Sequence, residues 1–415
     1  MIILAIETSC DETAAAILKC SGKLKKARFE ILSNVVASQI KIHSQWGGVV
    51  PGLARREHQK NLMLVLNKVL KKSGLLNPKS EALSTKQIQN SKFKILNSVL
   101  KREPGLLKQL LEFFWKHQKP LINLIAVTQG PGLEPALWIG INFAKALAIA
   151  WNKPLVAVNH MEGHIFSAFL NRKEFSISNF QFPILALLVS GGHTQLILIK
   201  DWLKYKIIGE TLDDAAGEAF DKVARMLGLG YPGGPAIASA AAKTEKPSGK
   251  TLGVNGKTPS VKELSKIQLP RPMLNSQDFN FSFSGLKTAV LYKIKEIQKE
   301  IGSRVAPAAE IRSLIAREFQ QAVIDVLIKK TLRAAKTHKA QAIILGGGVA
   351  ANKELRKQLK LSVKKELSGL RLLLPEIKFT GDNAAMIALA AYFRAKQKKF
   401  ANLSKLKADG NLRLC

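Results

Sequence analysis

The chain has 415 residues, which is enough for two or three packed domains, and its 47% hydrophobic content is that of a globular protein with a sizeable core. Its 64 lysines and arginines against 30 acids give a net charge of +34, which favours a polyanionic partner such as nucleic acid, although a lysine-rich proteome produces the same excess. Three cysteines without C-x-x-C spacing argue against a disulfide framework, and no apolar run approaches the ~20 residues of a membrane span, so we expect a cytoplasmic protein.

The first half of the chain alternates apolar, strand-like runs with helical patterns. Its apolar start lacks a basic n-region and predicts a buried strand rather than a signal peptide. A basic insertion lies at about 78–120, in which 106–115 has helical spacing. The other predicted elements are strands at 2–6 and 14–18 joined by an acidic loop, a helix at about 54–72, a strand at 121–128, a helix at 136–151 and a strand at 155–158.

The second half follows a polar link at 171–179 and begins, like the first, with a strand, a turn and a strand; the turn here is Gly191-Gly192. Strands alternating with helices in two such halves predict a duplicated, two-lobed α/β fold. We expect a first lobe at 1–157 completed by the C-terminal helix, a second lobe at 158–395, and a basic tail at 396–415. The elements predicted here are strands at 184–189 and 196–199, a loop at 243–266, a helix at 311–336, a strand at 342–345 and a helix at 383–398.

Three loops at the carboxyl ends of predicted strands have the composition of phosphate-binding turns. They are 8–13, 190–194 with Gly191-Gly192, and 346–352 with three successive glycines. Glycine lets backbone N–H groups approach a phosphate or a ribose closely, and a helix N-terminus after the third loop adds a favourable dipole. Strand-to-helix turns also use glycine for packing. Of the three loops, the one with three successive glycines, 346–348, is the hardest to explain by packing. Together the loops predict a nucleotide in a cleft.

A metal site is predicted from the run His160-Met161-Glu162-Gly163-His164. Histidines at i and i+4 lie on one helix face, within reach of a single ion. A zinc protease would need glutamate directly after the first histidine, where Met161 stands. Asp382 is the best third ligand, and it follows a predicted strand end where it could instead cap the last helix. Two histidines and one carboxylate suit Fe(II) or Zn(II).

Four acids cluster in the run L-D-D-A-A-G-E-A-F-D, at Asp213, Asp214, Glu218 and Asp221. The last three fall at i, i+4 and i+7, which places them on one face if the segment is helical. Like charges repel there unless a ligand or a cation intervenes. A solvated face and burial near a ligand both remain open, and the small flanking residues favour burial.

A series of short motifs runs along nearly the whole chain. In this order they resemble the tRNA adenosine threonylcarbamoyltransferase family, enzymes of the actin/hexokinase/sugar-kinase (ASKHA) fold that were once described as glycoproteases. The fold implied is two duplicated α/β lobes with a nucleotide cleft between them. The motifs are I-E-T-S-C-D-E-T from Ile6, G-G-V-V-P from Gly47, G-P-G-L from Gly130, V-N-H-M-E-G-H from Val158, L-V-S-G-G-H-T from Leu188, L-D-D-A-A-G-E-A-F-D-K from Leu212, Y-P-G-G-P from Tyr231, F-S-F-S-G-L-K-T from Phe281, G-G-G-V-A-A-N from Gly346 and T-G-D-N-A-A-M-I from Thr380.

The resemblance implies transfer of a threonylcarbamoyl group from threonylcarbamoyl-AMP to the exocyclic amine of the adenosine 3′ of the anticodon, in tRNAs that read codons beginning with A. It implies that His160, His164 and Asp382 hold one divalent metal ion per subunit, Fe(II) or alternatively Zn(II). Asp11 and Glu12 match acids near the reaction centre, and Glu12 is a candidate proton acceptor. The positions that match the adenylate site are Leu188, Val189, Ser190, Gly191, Gly192, Asp221, Gly234 and Asn352.

The partners implied are tRNA, threonylcarbamoyl-AMP, an upstream threonylcarbamoyl-AMP synthase, an inactive TsaB-like paralogue and a TsaE-like ATPase, with no membrane. The chain departs from the family pattern in the length of 78–120, in V-P-G-L-A-R-R from Val50, in Glu134-Pro135, and in Ala238 where relatives have an aspartate near the ribose. None of these departures touches the three metal positions.

Three alternatives remain. A non-catalytic nucleotide-binding scaffold of the same fold would have no use for an intact His160, His164 and Asp382 set. An ATP-dependent sugar kinase would not need the histidine pair. A metalloprotease is disfavoured by Met161.

Overall fold

A computed structural model of the chain describes residues 1–22, 27–78, 90–170, 181–243, 267–301 and 309–414. The predicted link at 171–179 lies outside these residues, as does the predicted loop at 243–266 except for its first residue. Among the described residues no helix combines the length and the apolar character that crossing a membrane requires.

The first lobe is built on a five-stranded mixed sheet with the order β3-β2-β1-β4-β5. β1 pairs antiparallel with β2, and β2 with β3, whereas β4 runs parallel to both β1 and β5. β1 and β4 are buried on both faces, which is why they read as continuous apolar runs. The strands are β1 (Ile2–Glu7), β2 (Glu12–Ser21), β3 (Arg28–Ser38), β4 (Leu124–Gly130) and β5 (Leu155–Asn159).

The second lobe repeats this arrangement, with the order β10-β9-β6-β7-β8. β6 pairs antiparallel with β7, β7 antiparallel with β8, and β9 runs parallel to β6 and β10. The two sheets share one topology, so the predicted two-lobed actin-like fold is confirmed. The strands are β6 (Ile184–Val189), β7 (Thr194–Asp201), β8 (Lys204–Glu210), β9 (Ala342–Gly346) and β10 (Arg371–Leu373).

Helices cover the outer face of the first sheet. The apolar sides of the insertion helices α3 and α4 pack into the same core as α2 and α5, so the basic insertion also contributes buried leucines such as Leu106 and Leu110. The helices of this region are α1 (Ile40–His43), α2 (Pro51–Lys72), α3 (Asn90–Val99), α4 (Pro104–Lys116), α5 (Glu134–Trp151) and α6 (His160–Ser167).

The second lobe has its own outer helical layer, packed on β6, β7 and β9 around Phe220, Phe319 and Leu345. Its helices are α7 (Ala216–Met226), α8 (Gly233–Ala242), α9 (Ser284–Ile301), α10 (Ala309–Thr337) and α11 (Lys353–Glu366).

The last helix, α12 (Ala384–Lys396), returns to the first sheet and packs with α6 in a core that contains residues of both sheets. It is apolar on almost every face, as a fully enclosed helix must be. The tail beyond it also folds back, because Lys145 Nζ donates to Leu406 O at 2.6 Å and Asn159 Nδ2 donates to Leu412 O at 3.2 Å. The tail therefore covers the first lobe rather than leaving it.

Candidate metal centre and cleft

The two histidines of the predicted metal pair lie on α6, which enters the space between the lobes directly after β5. Asn159 caps this helix, because its side chain accepts hydrogen bonds from the backbone N–H of Met161 and Glu162. A Cβ on Gly163 would lie 2.8 Å from Ile387 Cδ1 of α12, so glycine allows the two helices to pack closely. This packing fixes the direction in which both imidazoles face.

Asp382 completes the group, as the sequence predicted. Its Oδ1 lies 3.4 Å from His160 Nε2 and 3.3 Å from His164 Nε2. Among the described residues this is the one group whose ligand atoms could hold a metal ion, all within 4.8 Å of one another. Asp382 is not at a strand end, since a 3-10 turn (Ile377–Phe379) precedes it, and it does not cap α12, since Asn383 accepts from Met386 N. The capping alternative is therefore wrong.

Glu7, which the sequence reasoning missed, orients the first histidine. It is fully buried at the end of β1, and its Oε2 lies 3.0 Å from His160 Nδ1 while accepting from Thr128 Oγ1 at 2.7 Å. Its Oε1 accepts from Ser9 N at 2.5 Å. A carboxylate that holds one imidazole nitrogen leaves the other free for a metal. The sequence carried one indication of this role, because Glu7 directly follows five apolar residues of a buried strand.

The protonation of Asp382 and of His164 fits a metal site. At His160, by contrast, burial is outweighed by Asp382 and Glu7, which raise the pKa of the ring. Burial by itself raises the pKa of the Asp382 carboxyl, but the two imidazoles outweigh it and lower that pKa well below its usual range. Burial and the neighbouring His160 lower the pKa of His164, so its ring is neutral. Neither ring nitrogen of His164 has a well-aligned hydrogen bond although the side chain is fully buried, and Nε2 has only the 3.3 Å contact with Asp382 Oδ1. Such an orphaned ring costs about 1–3 kcal/mol unless something binds it, and a cation held by His164 and Asp382 satisfies this need.

Glu162, between the two histidines, faces away from them. Its carboxylate accepts from Arg394 Nε at 2.7 Å and from Tyr205 O–H at 3.1 Å, and it is fully buried. It therefore links α6 to α12 and cannot act as the base of a hydrolytic site.

Asp11 ends the loop between β1 and β2, and Glu12 is the first residue of β2, near enough to Asp382 for their charges to interact. Glu12 accepts a hydrogen bond from Ser38 Oγ at 3.1 Å. Burial, followed by the charges of Asp382 and Asp11, raises the pKa of Glu12 to about 9. Burial and the same acids also raise the pKa of the Cys10 thiol. This segment thus concentrates acidic groups beside the position where a cation would sit, and burial and their mutual repulsion keep Glu12 protonated without one.

The glycine loops differ in what their glycines do. A Cβ on Gly191, Gly192, Gly234 or Gly348 would meet nothing within 4 Å, so these four line open space. A Cβ on Gly346 would lie 2.7 Å from His164 O, and one on Gly347 would lie 2.3 Å from Val189 O. Packing therefore explains two of the three successive glycines, contrary to the expectation from the sequence.

The remaining adenylate-site candidates differ in their contacts. Leu188 and Val189 are fully buried in β6, so only their backbone can face a ligand. Ser190 Oγ accepts from His193 N at 3.1 Å, which shapes the turn. Asp221 accepts from Gly233 N at 2.6 Å at the start of α8, and Asn352 caps α11 by accepting from Leu355 N at 3.0 Å.

The acid cluster is not one helical face, because Asp213 and Asp214 precede α7. Asp213 accepts hydrogen bonds from the hydroxyls of Ser282 and Ser284. Asp214 pairs with Lys222 at 2.7 Å, and Lys222 also reaches Glu218 at 2.8 Å. Lysine and serine partners therefore relieve the like-charge repulsion at Asp213, Asp214 and Glu218, whereas Asp221 accepts from the backbone N–H of Gly233.

Known proteins resemble this chain along nearly its whole length. The sequence model of the family "tRNA N6-adenosine threonylcarbamoyltransferase" matches residues 30–82 and 104–389. A protein of that name from Syntrophomonas wolfei is 42% identical over 403 residues, 97% of this chain and 95% of the relative, and one from Thermosipho africanus is 41% identical over the whole of both chains. A solved structure of full-length HypF, in a phosphate- and nucleotide-bound form, aligns with a TM-score of 0.46 and 11% identity over 96% of this chain and 46% of that longer one. The chain belongs to the tRNA N6-adenosine threonylcarbamoyltransferase family.

Proposed function

We infer that this chain transfers the threonylcarbamoyl group of threonylcarbamoyl-AMP to the exocyclic amine of the adenosine 3′ of the anticodon, in tRNAs that read codons beginning with A. The observation that carries this function is the buried group of His160, His164 and Asp382 beside a glycine-lined cleft, in a chain that is over 40% identical to threonylcarbamoyltransferases along its length.

The reaction needs orientation more than activation. The donor is a mixed anhydride, so the amine nitrogen attacks the carbamoyl carbon, the bond from that carbon to the phosphate oxygen breaks, and AMP leaves. The amine gives up one proton. The enzyme gains most by holding the two reactants in place and by stabilising the charge on the departing phosphate.

We propose that the adenylate lies in the open space lined by Gly191, Gly192, Gly234 and Gly348. Backbone N–H groups at these turns can donate to the phosphate, and the N-termini of α8 and α11 add partial positive charge. Asp221, half-buried beside Gly233, is the acceptor we assign to the ribose hydroxyls. Ser190 and Asn352 support this site by shaping the two turns, and Leu188 and Val189 by their backbone.

We propose that His160, His164 and Asp382 hold one divalent cation, Fe(II) or alternatively Zn(II), because two imidazoles and a carboxylate with open positions suit these ions. When bound, the ion supplies a positive charge that binds and polarises the oxygens of the threonylcarbamoyl group. Glu7 keeps His160 in the tautomer that presents Nε2 to this position.

Glu12 is the proton acceptor we propose for the attacking amine, with Asp11 beside it. Repulsion from Asp382 and Asp11 contributes to the raised pKa of Glu12. A cation beside Asp382 removes much of that repulsion and favours the carboxylate form, which is the form that can accept a proton.

The alternative function is a non-catalytic nucleotide-binding scaffold of the same fold. It is disfavoured by His164, whose two ring nitrogens are buried without a well-aligned hydrogen bond. A scaffold would gain stability by replacing such a ring with an apolar side chain, because the buried polar atoms would then be removed.

We propose that the protein works in the cytoplasm, where its tRNA substrate is found, together with a TsaB-like paralogue, a TsaE-like ATPase and an upstream threonylcarbamoyl-AMP synthase. The test is reconstitution. The purified chain, these partners, threonine, bicarbonate, ATP and unmodified tRNA are combined, and digested tRNA is searched by mass spectrometry for threonylcarbamoyladenosine. Failure to form it, under conditions in which a relative succeeds, would contradict the proposed function.

A further inference from the structure

Trp46 is a large aromatic side chain that none of the groups described above uses. It ends a short 3-10 turn, Ser44–Trp46, and 66% of it is exposed to solvent. An exposed tryptophan leaves apolar area in water, and such a ring commonly marks a contact surface. Which partner Trp46 contacts can be inferred from the residues around it.

A buried network fixes the turn that carries Trp46 to the acidic loop. Gln39 N donates to Asp11 O at 2.9 Å, and the Gln39 side chain lies 3.1 Å from His43 Nε2. The other nitrogen of His43 accepts from Val50 N at 3.3 Å, which closes the segment on the far side of Trp46. Gln39 and His43 are both fully buried, so the exposed ring stands on a rigid base beside the reacting centre.

The second lobe meets this turn across the cleft. The guanidinium of Arg225, on α7, donates to the carbonyl oxygen of Gly47, the residue directly after Trp46. Arg225 is one helical turn beyond Asp221, which we assign to the adenylate ribose. Trp46 therefore stands at the mouth of the cleft, between the acidic loop of one lobe and the adenylate side of the other.

The charge around the turn suits RNA. Lys41 precedes Trp46 on α1 and Arg56 follows it in the first turns of α2, and both are exposed. The nearby acid Glu57 is paired with Lys60 at 2.5 Å. Exposed cations beside an aromatic ring are the combination by which proteins hold single-stranded nucleic acid, the cations on phosphates and the ring on a base.

We propose that Trp46 stacks on an anticodon-loop base of the tRNA, at or next to the adenosine that enters the cleft. The exocyclic amine can reach the carbamoyl carbon only after the adenosine leaves the stack of the loop, and an aromatic ring at the mouth replaces the stacking that is lost. This role rests on the proposed function, because it assumes that a tRNA base is the acceptor.

The test compares Trp46→Ala, Trp46→Phe and the control Trp115→Ala. Trp115 is another exposed tryptophan of the first lobe, near the end of α4. His117, directly after α4, pairs with Pro78, which follows the last turn of α2. Because α2 begins on the cleft side and its 22 residues span about 33 Å, Trp115 lies far from the cleft. The KM for tRNA is measured with the complete set of partner proteins and saturating adenylate donor. Quenching of tryptophan fluorescence by a synthetic anticodon stem-loop is measured with this chain alone.

Trp46→Ala is expected to raise the KM for tRNA by about 5- to 150-fold, the equivalent of one stacked base, while AMP binding and metal content stay unchanged. Trp46→Phe keeps most of the affinity, Trp115→Ala keeps all of it, and the stem-loop quenches wild type but not Trp46→Ala. An unchanged KM for Trp46→Ala overturns the proposal. If Trp46→Ala also loses AMP or metal binding, the residue is structural and the proposal fails. If its KM rises but the stem-loop still quenches its fluorescence as in wild type, Trp46 contacts a partner protein and the proposal also fails. If wild type forms no product yet shows the quenching, the proposed function fails and the stacking contact survives.

Discussion

Replacing Glu7 by glutamine tests whether a buried carboxylate sets the protonation of the metal-facing histidine. The carboxylate of Glu7 accepts from three groups: Ser9 N, Thr128 Oγ1 and, at 3.0 Å, His160 Nδ1. An amide has one acceptor oxygen, so in either orientation its NH2 group faces a donor. If it faces His160 Nδ1, that nitrogen must accept, and the proton moves to Nε2, the nitrogen that lies 3.4 Å from Asp382.

A protonated Nε2 cannot bind a cation. Loss of a carboxylate that orients a ligand histidine typically lowers metal affinity by about 10- to 100-fold, which corresponds to about 1.4–2.7 kcal/mol. The assay is competition for Fe(II) or Zn(II) against a chromogenic chelator, with the unfolding temperature followed in parallel. Thr128→Val is the matched control, since it removes one hydrogen bond from the same carboxylate but keeps its charge. It should lower stability with little effect on metal affinity. Unchanged metal affinity in Glu7→Gln would refute the reasoning.

Three further predictions concern stability. In metal-free protein the pKa of Glu12 is about 9 against a usual 4.5, so the folded state holds a proton that the unfolded chain has lost, and stability falls as the pH rises between these values. Glu12→Gln should therefore raise the unfolding temperature relative to wild type by a margin that grows with pH across this window. A difference in unfolding temperature that stays constant with pH would contradict the raised pKa of Glu12. Gly347→Ala should destabilise the protein strongly, because φ is +88° and the new Cβ would lie 2.3 Å from a carbonyl oxygen. The matched variant Gly348→Ala should keep its stability and weaken AMP binding, because its Cβ meets no protein atom within 4 Å. Arg394→Met leaves the buried Glu162 without its cation and should cost about 3–5 kcal/mol in urea unfolding, and a loss below 1 kcal/mol would show that Tyr205 alone suffices.

Much of the site could be predicted because its chemistry is local in sequence. The spacing of His160 and His164 places both on one helix face, and the glycine turns follow strands that read as unbroken apolar runs. The edge strands β3 and β8 were missed, because they bury few side chains and show no apolar run. β10, with three residues, is too short to leave a pattern.

The rest depends on contacts between distant parts of the chain. Glu7 meets His160 across 153 residues, and spacing cannot reveal such a pair. Whether a glycine serves a ligand or packing depends on what faces it, and the carbonyl oxygen of Val189 that faces Gly347 could not be predicted from the sequence. Asn383 rather than Asp382 caps α12, because the chain turns one residue later than the pattern suggested.

The most direct measurement is the yield of threonylcarbamoyladenosine in tRNA, with metal content determined on the same samples, for wild type and His164→Ala. The ring of His164 is fully buried and neither nitrogen has a well-aligned hydrogen bond, so alanine removes a ligand and breaks only the 3.3 Å contact between Nε2 and Asp382 Oδ1. We expect wild type to carry about one ion per chain, as a single site with three ligands implies, and to form the modified nucleoside. The variant should stay folded, lose the ion and form no product. Full product from a metal-free, folded variant would contradict a metal-dependent transfer in this cleft.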